Sequence, residues 1–317
     1  LSRDKNYYST KRLVAEAQKL RHKAVVVNPL QCDISLGSTL GVYPAPIPKD
    51  RCGTPRSTLH ARSLSRPGRD STLDLASFDL IIPRIGIIGI DYALLVAHQL
   101  EFMGKPMLNS ARSLSYAKNK FLSLQILAKS GIPVPATLMT RSPTTIKDAV
   151  KKLGGPANGG TGLPVVLKLF RGSQGKGVML GENLASVESI LTSVWAIGFD
   201  IILQKYLKET KGEDIRVLVL NNEVIAAMKR TPAQGDFRSN IHQGGTMKKV
   251  AITVEEKQMA LRASRALGLK IAGVDIMRAK NGPLVLEVNA SPGFEGLEKV
   301  TGINIAKKIV EYACRLI

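Results

Sequence analysis

Near the C-terminal end of the chain, two carboxylates and an amide are spaced as a hard-cation site requires. Asp275 lies in Ala272-Gly273-Val274-Asp275-Ile276, and Glu287 and Asn289 lie in Leu284-Val285-Leu286-Glu287-Val288-Asn289. Asn281-Gly282 between them is a tight-turn dipeptide, so the two runs are expected as antiparallel strands. Side chains alternate along a strand, which puts Glu287 and Asn289 on one face and Leu284, Leu286 and Val288 on the other. Asp275 on the partner strand can lie beside them. Single carboxylates at strand ends are usually solvated or paired with lysine. Two of them converging with an amide oxygen, followed by Ala290-Ser291-Pro292-Gly293, suit magnesium better. That ion takes oxygen ligands, keeps waters and is commonly shared with substrate phosphates.

Phosphate binding has its own candidates. Gly172-Ser173-Gln174-Gly175-Lys176-Gly177 separates a strand ending at Phe170 from one starting near Val178. Gly172, Gly175 and Gly177 let the backbone approach a phosphate closely, with N–H groups as donors. The loop is neither a Walker A loop nor a Rossmann fingerprint. Lys168, on the preceding strand, is costly to bury unless paired, and it would place a cation at the α- or β-phosphate. A later polar loop runs from Gly235 to Gly245 and contains Arg238. Arg238 suits bidentate donation to a transferred phosphate or a substrate carboxylate. His242 reads as structural or phosphate-adjacent rather than as a base. No Ser-His-Asp order or reactive-cysteine context is present, so the chemistry expected is positioning and charge neutralisation rather than covalent catalysis.

Hydrophobic periodicity supplies the elements that must hold these groups. Helices are expected at Ser9–Leu20, Tyr92–Phe102, 116–130, Pro143–Lys152, Val254–Leu267 and Ile303–Arg315. Strands are expected at Ala24–Val27, Phe78–Pro83, Ala136–Thr140, Val165–Phe170, Ile201–Gln204, Ile215–Leu220, Glu223–Lys229, Ile271–Met277 and Leu284–Asn289. Leu1-Ser2-Arg3-Asp4 reads as the end of a further strand. Residues 37–76 hold Arg51, Arg56, Arg62, Arg66 and Arg69 with almost no apolar periodicity. They read as a basic insertion without regular structure. A second, Gly-rich insert covers Gly154–Pro164.

At 317 residues the chain is long enough for two or three subdomains, and 44% apolar content supplies their cores. Three cysteines without a CxxC pair suggest neither a disulfide framework nor a zinc site. With no apolar stretch of spanning length and no leader pattern, a cytoplasmic location is expected. The formal charge is +20, and residues 101–180, with 12 basic and 2 acidic side chains, carry half of it. Such an excess can be a solvated face. It can also attract nucleotide phosphates, acidic peptides or ribosomal RNA. Without an aromatic-rich segment, an RNA-recognition module is disfavoured.

Arg238-Ser239-Asn240, the Gly-Val-Asp-Ile run and Glu-Val-Asn-Ala-Ser-Pro-Gly together resemble ATP-grasp ligases of the RimK type, which add glutamate to the C-terminus of ribosomal protein S-six. Ile82-Pro83-Arg84-Ile85-Gly86 and the closing Glu-Lys-Val-Thr-Gly-Ile are similar too. The resemblance covers nearly the whole chain except about 37–76 and 156–163.

It implies an ATP-grasp fold, mixed α/β and α+β, in three subdomains. These would be an N-terminal α/β pre-ATP-grasp domain at 1–112, a central subdomain with a Gly-rich lid at 113–203, and a C-terminal subdomain with the metal site at 204–317. It further implies that Lys120 and Lys168 contact phosphates or adenine and that Asp214 meets the ribose. Gln204-Lys205-Tyr206 would form the hinge beside adenine, with Lys205 where the family usually has Glu. Arg238, Ser239 and Asn240 would follow along the nucleotide, Arg238 and Asn240 as catalytic residues. Asp275, Glu287 and Asn289 would hold two divalent ions, magnesium or manganese, with Glu287 bridging.

The reaction so implied is amide formation through an acyl phosphate, adding L-glutamate to a protein C-terminal tail, that of a small-subunit ribosomal protein first. The basic surface would contact the ribosome, and the enzyme would be a homo-oligomer without membrane contact. The same chemistry on a small molecule, a carrier protein or free glutamate is the alternative enzyme. A non-catalytic nucleotide-dependent ribosome-binding protein is the alternative of another class, disfavoured by the intact Asp275, Glu287 and Asn289.

Overall fold

The computed structural model describes residues 1–35, 58–62, 72–154, 160–170, 177–237 and 244–317. In chain order the first elements are helix α1 (Tyr8–Lys19), strands β1 (Cys32–Ser35), β2 (Thr58–Arg62) and β3 (Thr72–Asp74), and helices α2 (Ile90–Phe102), α3 (Ala111–Lys118) and α4 (Lys120–Lys129). Then come β4 (Thr137–Leu138), α5 (Ile146–Leu153), β5 (Val165–Leu169), β6 (Val178–Gly181), α6 (Leu184–Ala196) and β7 (Ile201–Lys205). The last group is β8 (Asp214–Leu220), β9 (Glu223–Thr231), β10 (Thr246–Lys249), α7 (Val254–Ala266), β11 (Ile271–Ala279), β12 (Gly282–Asn289), α8 (Glu295–Thr301) and α9 (Ile305–Ala313).

The chain divides into two units. The first comprises Leu1–Ser115, Gly293–Glu295 and Asn304–Ile317. Its core gathers Val27, Cys32, Leu75, Ile81, Val96 and Leu100, and α1 packs on α9. Glu16, on the buried side of α1, accepts from Arg12 and Lys19 at 2.9 Å each. The second unit comprises Tyr116–Pro292 and Gly296–Ile303 and holds two antiparallel sheets. One runs β4-β7-β5-β6 and is backed by α5 and α6 through Ile146, Val150, Val187, Leu191, Val165 and Leu203. The other runs β10-β9-β8-β11-β12, with α7 packed against it.

Several differences from the periodicity have local causes. The helix expected over 116–130 is two helices, because Asn119 leaves helical geometry and its side chain accepts from Leu122 N, capping α4. Ala24–Val27 and Phe78–Pro83 form no strands. Val27 O accepts from Ser2 N, and the pairing nearby is limited to isolated bridges, Ser2 with Arg84 and Ile81 with Met107. Within the basic insertion, β2 pairs with both β1 and β3, so part of it is regular. Residues 36–57 and 63–71 lie outside the described residues. Strand β10 was not foreseen.

Helix α7 is tied to the sheet it backs by one acidic side chain. Thr253 Oγ1 accepts from Glu256 N, and Glu256 Oε2 accepts from Thr253 N, a reciprocal cap. Arg278 on β11 donates to the same carboxylate at 2.6 and 2.9 Å. Arg278 first, against the cost of burial, and then the Thr253 amide hold the Glu256 carboxyl below its ordinary value. Stability from a lowered carboxyl is complete above its unfolded value, about 4.3, and is lost as pH falls through the folded one. Glu256→Ala is expected to destabilise the protein by about 1–3 kcal/mol at neutral pH. Thermal melting should show the gap between variant and wild type holding from pH 7 to about 5 and closing as pH drops below about 4.

Candidate functional site

The five-stranded sheet carries an unusual amount of charge on the face turned away from α7. Asp214 lies opposite Arg230 across β8 and β9, Arg216 opposite Asp275 across β8 and β11, and Asp275 opposite Glu287 across β11 and β12. Residues two apart on one strand share a face, so Asp214, Arg216, Arg230, Asp275, Glu287 and Asn289 project together. Arg230 donates to both Asp214 oxygens at 2.6 Å and reaches Asp275 Oδ2 at 2.9 Å. Arg216 donates to Asp275 at 2.7 and 2.6 Å. The Asn289 amide, oriented by its neighbours, donates to Glu287 Oε1 at 3.1 Å and accepts from Arg216 Nη2 at 3.3 Å. A continuous polar ladder therefore crosses β9, β8, β11 and β12.

Its inner members are nearly dry: Asp214 and Asp275 are each 3% exposed and Arg230 5%. Burial disfavours charge on all three. For Asp275 it is outweighed by Arg216 and Arg230, which hold the carboxyl below its ordinary value. For Arg230 it is outweighed by Asp275 and Asp214, which hold the guanidinium above its own. Gly273, also on this face, is required by close approach: a Cβ there would stand 2.8 Å from Pro292 Cβ.

The four-stranded sheet and α4 add two lysines. Lys168 on β5 donates to Gln204 Oε1 on β7 at 2.6 Å, and Gln204 Nε2 donates to Thr137 Oγ1 at 2.9 Å. Lys120, the first residue of α4, donates to Leu169 O at 3.4 Å. A small cavity is lined by Lys120, Lys168, Gln204, Leu286 and Glu287. Burial pushes the Lys168 ammonium down to about 8, partly opposed by Glu287. Lys120 is lowered for the same reason and opposed by the same carboxylate.

Asp275, Glu287 and Asn289 are the side chains that could hold a divalent cation. Asp275 and Glu287 are directly opposed, with Asn289 two residues beyond Glu287. The Asp275 oxygens already accept from Arg216 and Arg230, and the Asn289 oxygen from Arg216. Among the described residues no three His, Cys, Asp or Glu side chains converge into a complete cage. Magnesium is commonly held by one or two carboxylates together with substrate phosphates.

Comparison with known proteins settles the family. Residues 117–313 match the model of the RimK-like ATP-grasp domain, and residues 1–41 match the RimK pre-ATP-grasp domain. The chain is 39% identical over 312 residues to a probable alpha-L-glutamate ligase of Chromohalobacter salexigens, covering 98% of this chain and 93% of that protein. A probable alpha-L-glutamate ligase of Serratia proteamaculans is 40% identical over the same coverage. The chain belongs to the RimK-like ATP-grasp family.

The fold agrees. An ATP-grasp RimK domain protein of Sphaerobacter thermophilus superposes with a TM-score of 0.67 at 20% identity, covering 99% of this chain and 97% of that one. The ATP-grasp ligase PsnB, solved with a minimal precursor, gives 0.68 at 19% over 99% and 97%. As a RimK-like ATP-grasp protein the chain is an ATP-dependent ligase, and the expected ATP-grasp fold with a pre-ATP-grasp domain is what it has.

Within this RimK-like ligase, Lys120, Lys168 and Glu287 share one cavity, and Asp214, Asp275, Glu287 and Asn289 share one sheet face. The Asp214 carboxylate, expected at a ribose, is turned to Arg230 through both oxygens. Lys205 ends β7, where its N–H donates to Ala136 O, and Tyr206 meets Phe237 edge to face at 6.3 Å. Gly177 has φ +76°, a conformation suited to glycine. Gly172, Gly175, Arg238, Ser239 and Asn240, with His242, lie outside the described residues.

Arg216 and Arg230 were missed as site residues. The available signal was Arg216 standing two residues after Asp214 in an otherwise apolar strand, in alternation with it. Without Arg230, the buried Asp214 carboxylate would lose its bidentate arginine and Asp275 one of the two arginines that hold it. Arg230→Met is therefore expected to cost about 3–5 kcal/mol in urea denaturation. Adding Asp214→Asn should restore part of that loss. A single-variant cost below about 1 kcal/mol would show that the ladder does not hold these strands.

Proposed function

We propose that this ligase joins L-glutamate to the carboxyl terminus of a peptide tail, foremost that of a small-subunit ribosomal protein, in the cytoplasm and as a homo-oligomer. The observation that carries the reading is Asp275 and Glu287 directly opposed across β11 and β12, with Lys120 and Lys168 on the cavity that Glu287 lines. The name of the relatives, probable alpha-L-glutamate ligase, supports glutamate as the amino acid added.

In this reading a substrate carboxylate oxygen attacks the γ-phosphorus of ATP. The bond to the β,γ-bridging oxygen breaks, ADP leaves, and an acyl phosphate remains. The amine of glutamate then attacks the acyl carbon, forming the C–N bond as inorganic phosphate departs, and the amine loses a proton to solvent. Lys168 and Lys120 neutralise phosphate oxygens, and Arg238 and Asn240 act on the transferred group. Gly172, Gly175 and Gly177 let the backbone approach the phosphates, while Lys205, Tyr206, Asp214 and Ser239 hold the nucleoside. Asp275, Glu287 and Asn289 would hold the divalent cations, two of magnesium or manganese, whose chemistry is to neutralise charge on the phosphates. With no covalent nucleophile, catalysis rests on orientation and fixed charge.

Phosphate release from ATP with magnesium and L-glutamate, with mass analysis of an acidic peptide, tests this. The expected result is ATP-dependent mass gain in multiples of a glutamyl residue. ATP turnover without that gain would discard glutamate as the amino acid added. Glu287→Ala should lower turnover by about 100-fold or more at saturating magnesium. Near-normal turnover in that variant would remove Glu287 from the metal site.

A further inference from the structure

Strand β10 forms one margin of the five-stranded sheet among the described residues. Among the described residues β10 pairs on one side only, with β9, so the other side of Thr246–Lys249 presents unpaired backbone groups. Thr246, Lys248 and Lys249 are exposed, with Met247 half-buried. Such an edge accepts another extended chain by main-chain hydrogen bonding, with side chains reading alternate residues of the guest.

The charge on this margin is one-sided. Lys248 lies directly opposite Lys229 across the β10–β9 pair, and like charges in that position are destabilising. Lys229 reaches Glu213 at 2.7 Å, and Lys211 also acts on that carboxylate. Neither Lys248 nor Lys249 has an ion-pair partner among the described residues. Lysine on an edge strand can serve simply to discourage aggregation. One such charge does that, whereas here the lysines occupy both faces and one stands against another lysine. Lys249 pairs with Met228, two residues from Arg230, and so projects on the same face as the polar ladder. The chain enters β10 directly from the loop that holds Arg238, Ser239 and Asn240.

We propose that β10 is the docking edge for the acceptor: an extended acidic tail adds beside it as a further strand, its carboxylates alternating between Lys248 and Lys249. The charge complement is explicit, and an unpaired strand edge favours a peptide over a nucleic acid, which has no strand to add. The proposal rests on the ligase reading above and names where its acceptor is held.

The test uses the full chain and a labelled ten-residue peptide rich in glutamate with a free C-terminus, followed by fluorescence anisotropy. A glutamine counterpart and two peptides N-methylated at alternate backbone positions complete the set. The glutamine peptide should bind weakly. One N-methylated register should lose binding and the other keep it, the signature of strand addition. Lys248→Glu with Lys249→Glu should weaken binding by at least ~10-fold and raise KM for the tail similarly. In that double variant kcat, KM for ATP and the melting temperature should stay within about twofold or a few degrees of wild type. Unchanged affinity in the double variant, or equal binding of both N-methylated registers, would overturn the docking edge. So would polyuridylate binding at the same lysines more tightly than the peptide. If the double variant extends tails at unchanged KM, the edge falls and the ligase stands. If no peptide gains mass yet the acidic one binds at β10, the ligase reading falls and the edge stands.

Discussion

The fully paired charge at the centre of the five-stranded sheet constrains everything around it. Taking Asp275 and Asp214 out of water is tolerable only because Arg230 bridges them and Arg216 holds Asp275 from the other side. These contacts join three adjacent strands, and each donor geometry is bidentate or nearly so, which leaves little freedom in register. A slip of one residue would turn the four charges toward the face packed on α7 and bring Ile215, Val217 and Val274 into the polar layer. Hydrophobic burial alone would not discriminate so sharply in strands as uniformly apolar as β8, whose Val217 to Leu220 are all buried. The ladder thus specifies alignment as well as charge.

That alignment also sets the electrostatics of the cavity. Asp214, Asp275, Arg216 and Arg230 cancel in formal charge, so the ladder contributes little net field. What remains is Glu287 beside Lys120 and Lys168, one anion against two half-buried cations. Both ammonium groups are held below their ordinary values by burial. Anionic oxygens arriving there would relieve the lysines, and an added cation would balance Glu287. A nucleotide triphosphate with its divalent ion supplies both signs at once, which a lone anion or a lone cation does not. The site is therefore more complementary to the pair than to either part.

Legibility from sequence followed the range of the interactions. The hairpin around Asn281 and the opposition of Asp275 to Glu287 could be read, because hairpin register is local. The strict alternation over β12 does not hold: a bulge between Asp275 and Ile276 pairs Ile276 with Val285, buries Val285 and leaves Leu286 on the cavity that Glu287 lines. The helix around residues 116–130 was seen, but the break at Asn119 was not, since a polar residue between Lys118 and Lys120 leaves the spacing of the apolar positions unchanged. Ala24–Val27 has the composition of a strand, yet a strand needs a neighbour in register, and composition does not report one. Arg216 and Arg230 stayed out of the candidate site because their partners sit on other strands, between 16 and 59 residues away. β10 is short, polar and only half of a ladder, the weakest possible signal for alternation. Residues 238–243, with Arg238, Ser239 and Asn240, lie outside what the structure describes.

The Asn289-Ala290-Ser291-Pro292-Gly293 run shows why a chemical motif and a folding motif can coincide. Asn289 ends β12 opposite Gly273, and Pro292 approaches the Gly273 backbone so closely that a methyl group there would collide with it. Gly273 is two residues before Asp275 on the same face. Whatever fixes Gly273 therefore fixes the strand segment that presents Asp275. The proline packs where a side chain would otherwise stand. Substituting either member would move the oxygen donors without touching one of them. The run is recognisable in sequence because its residues serve both demands, and that double constraint is what makes it more specific than a carboxylate pair alone.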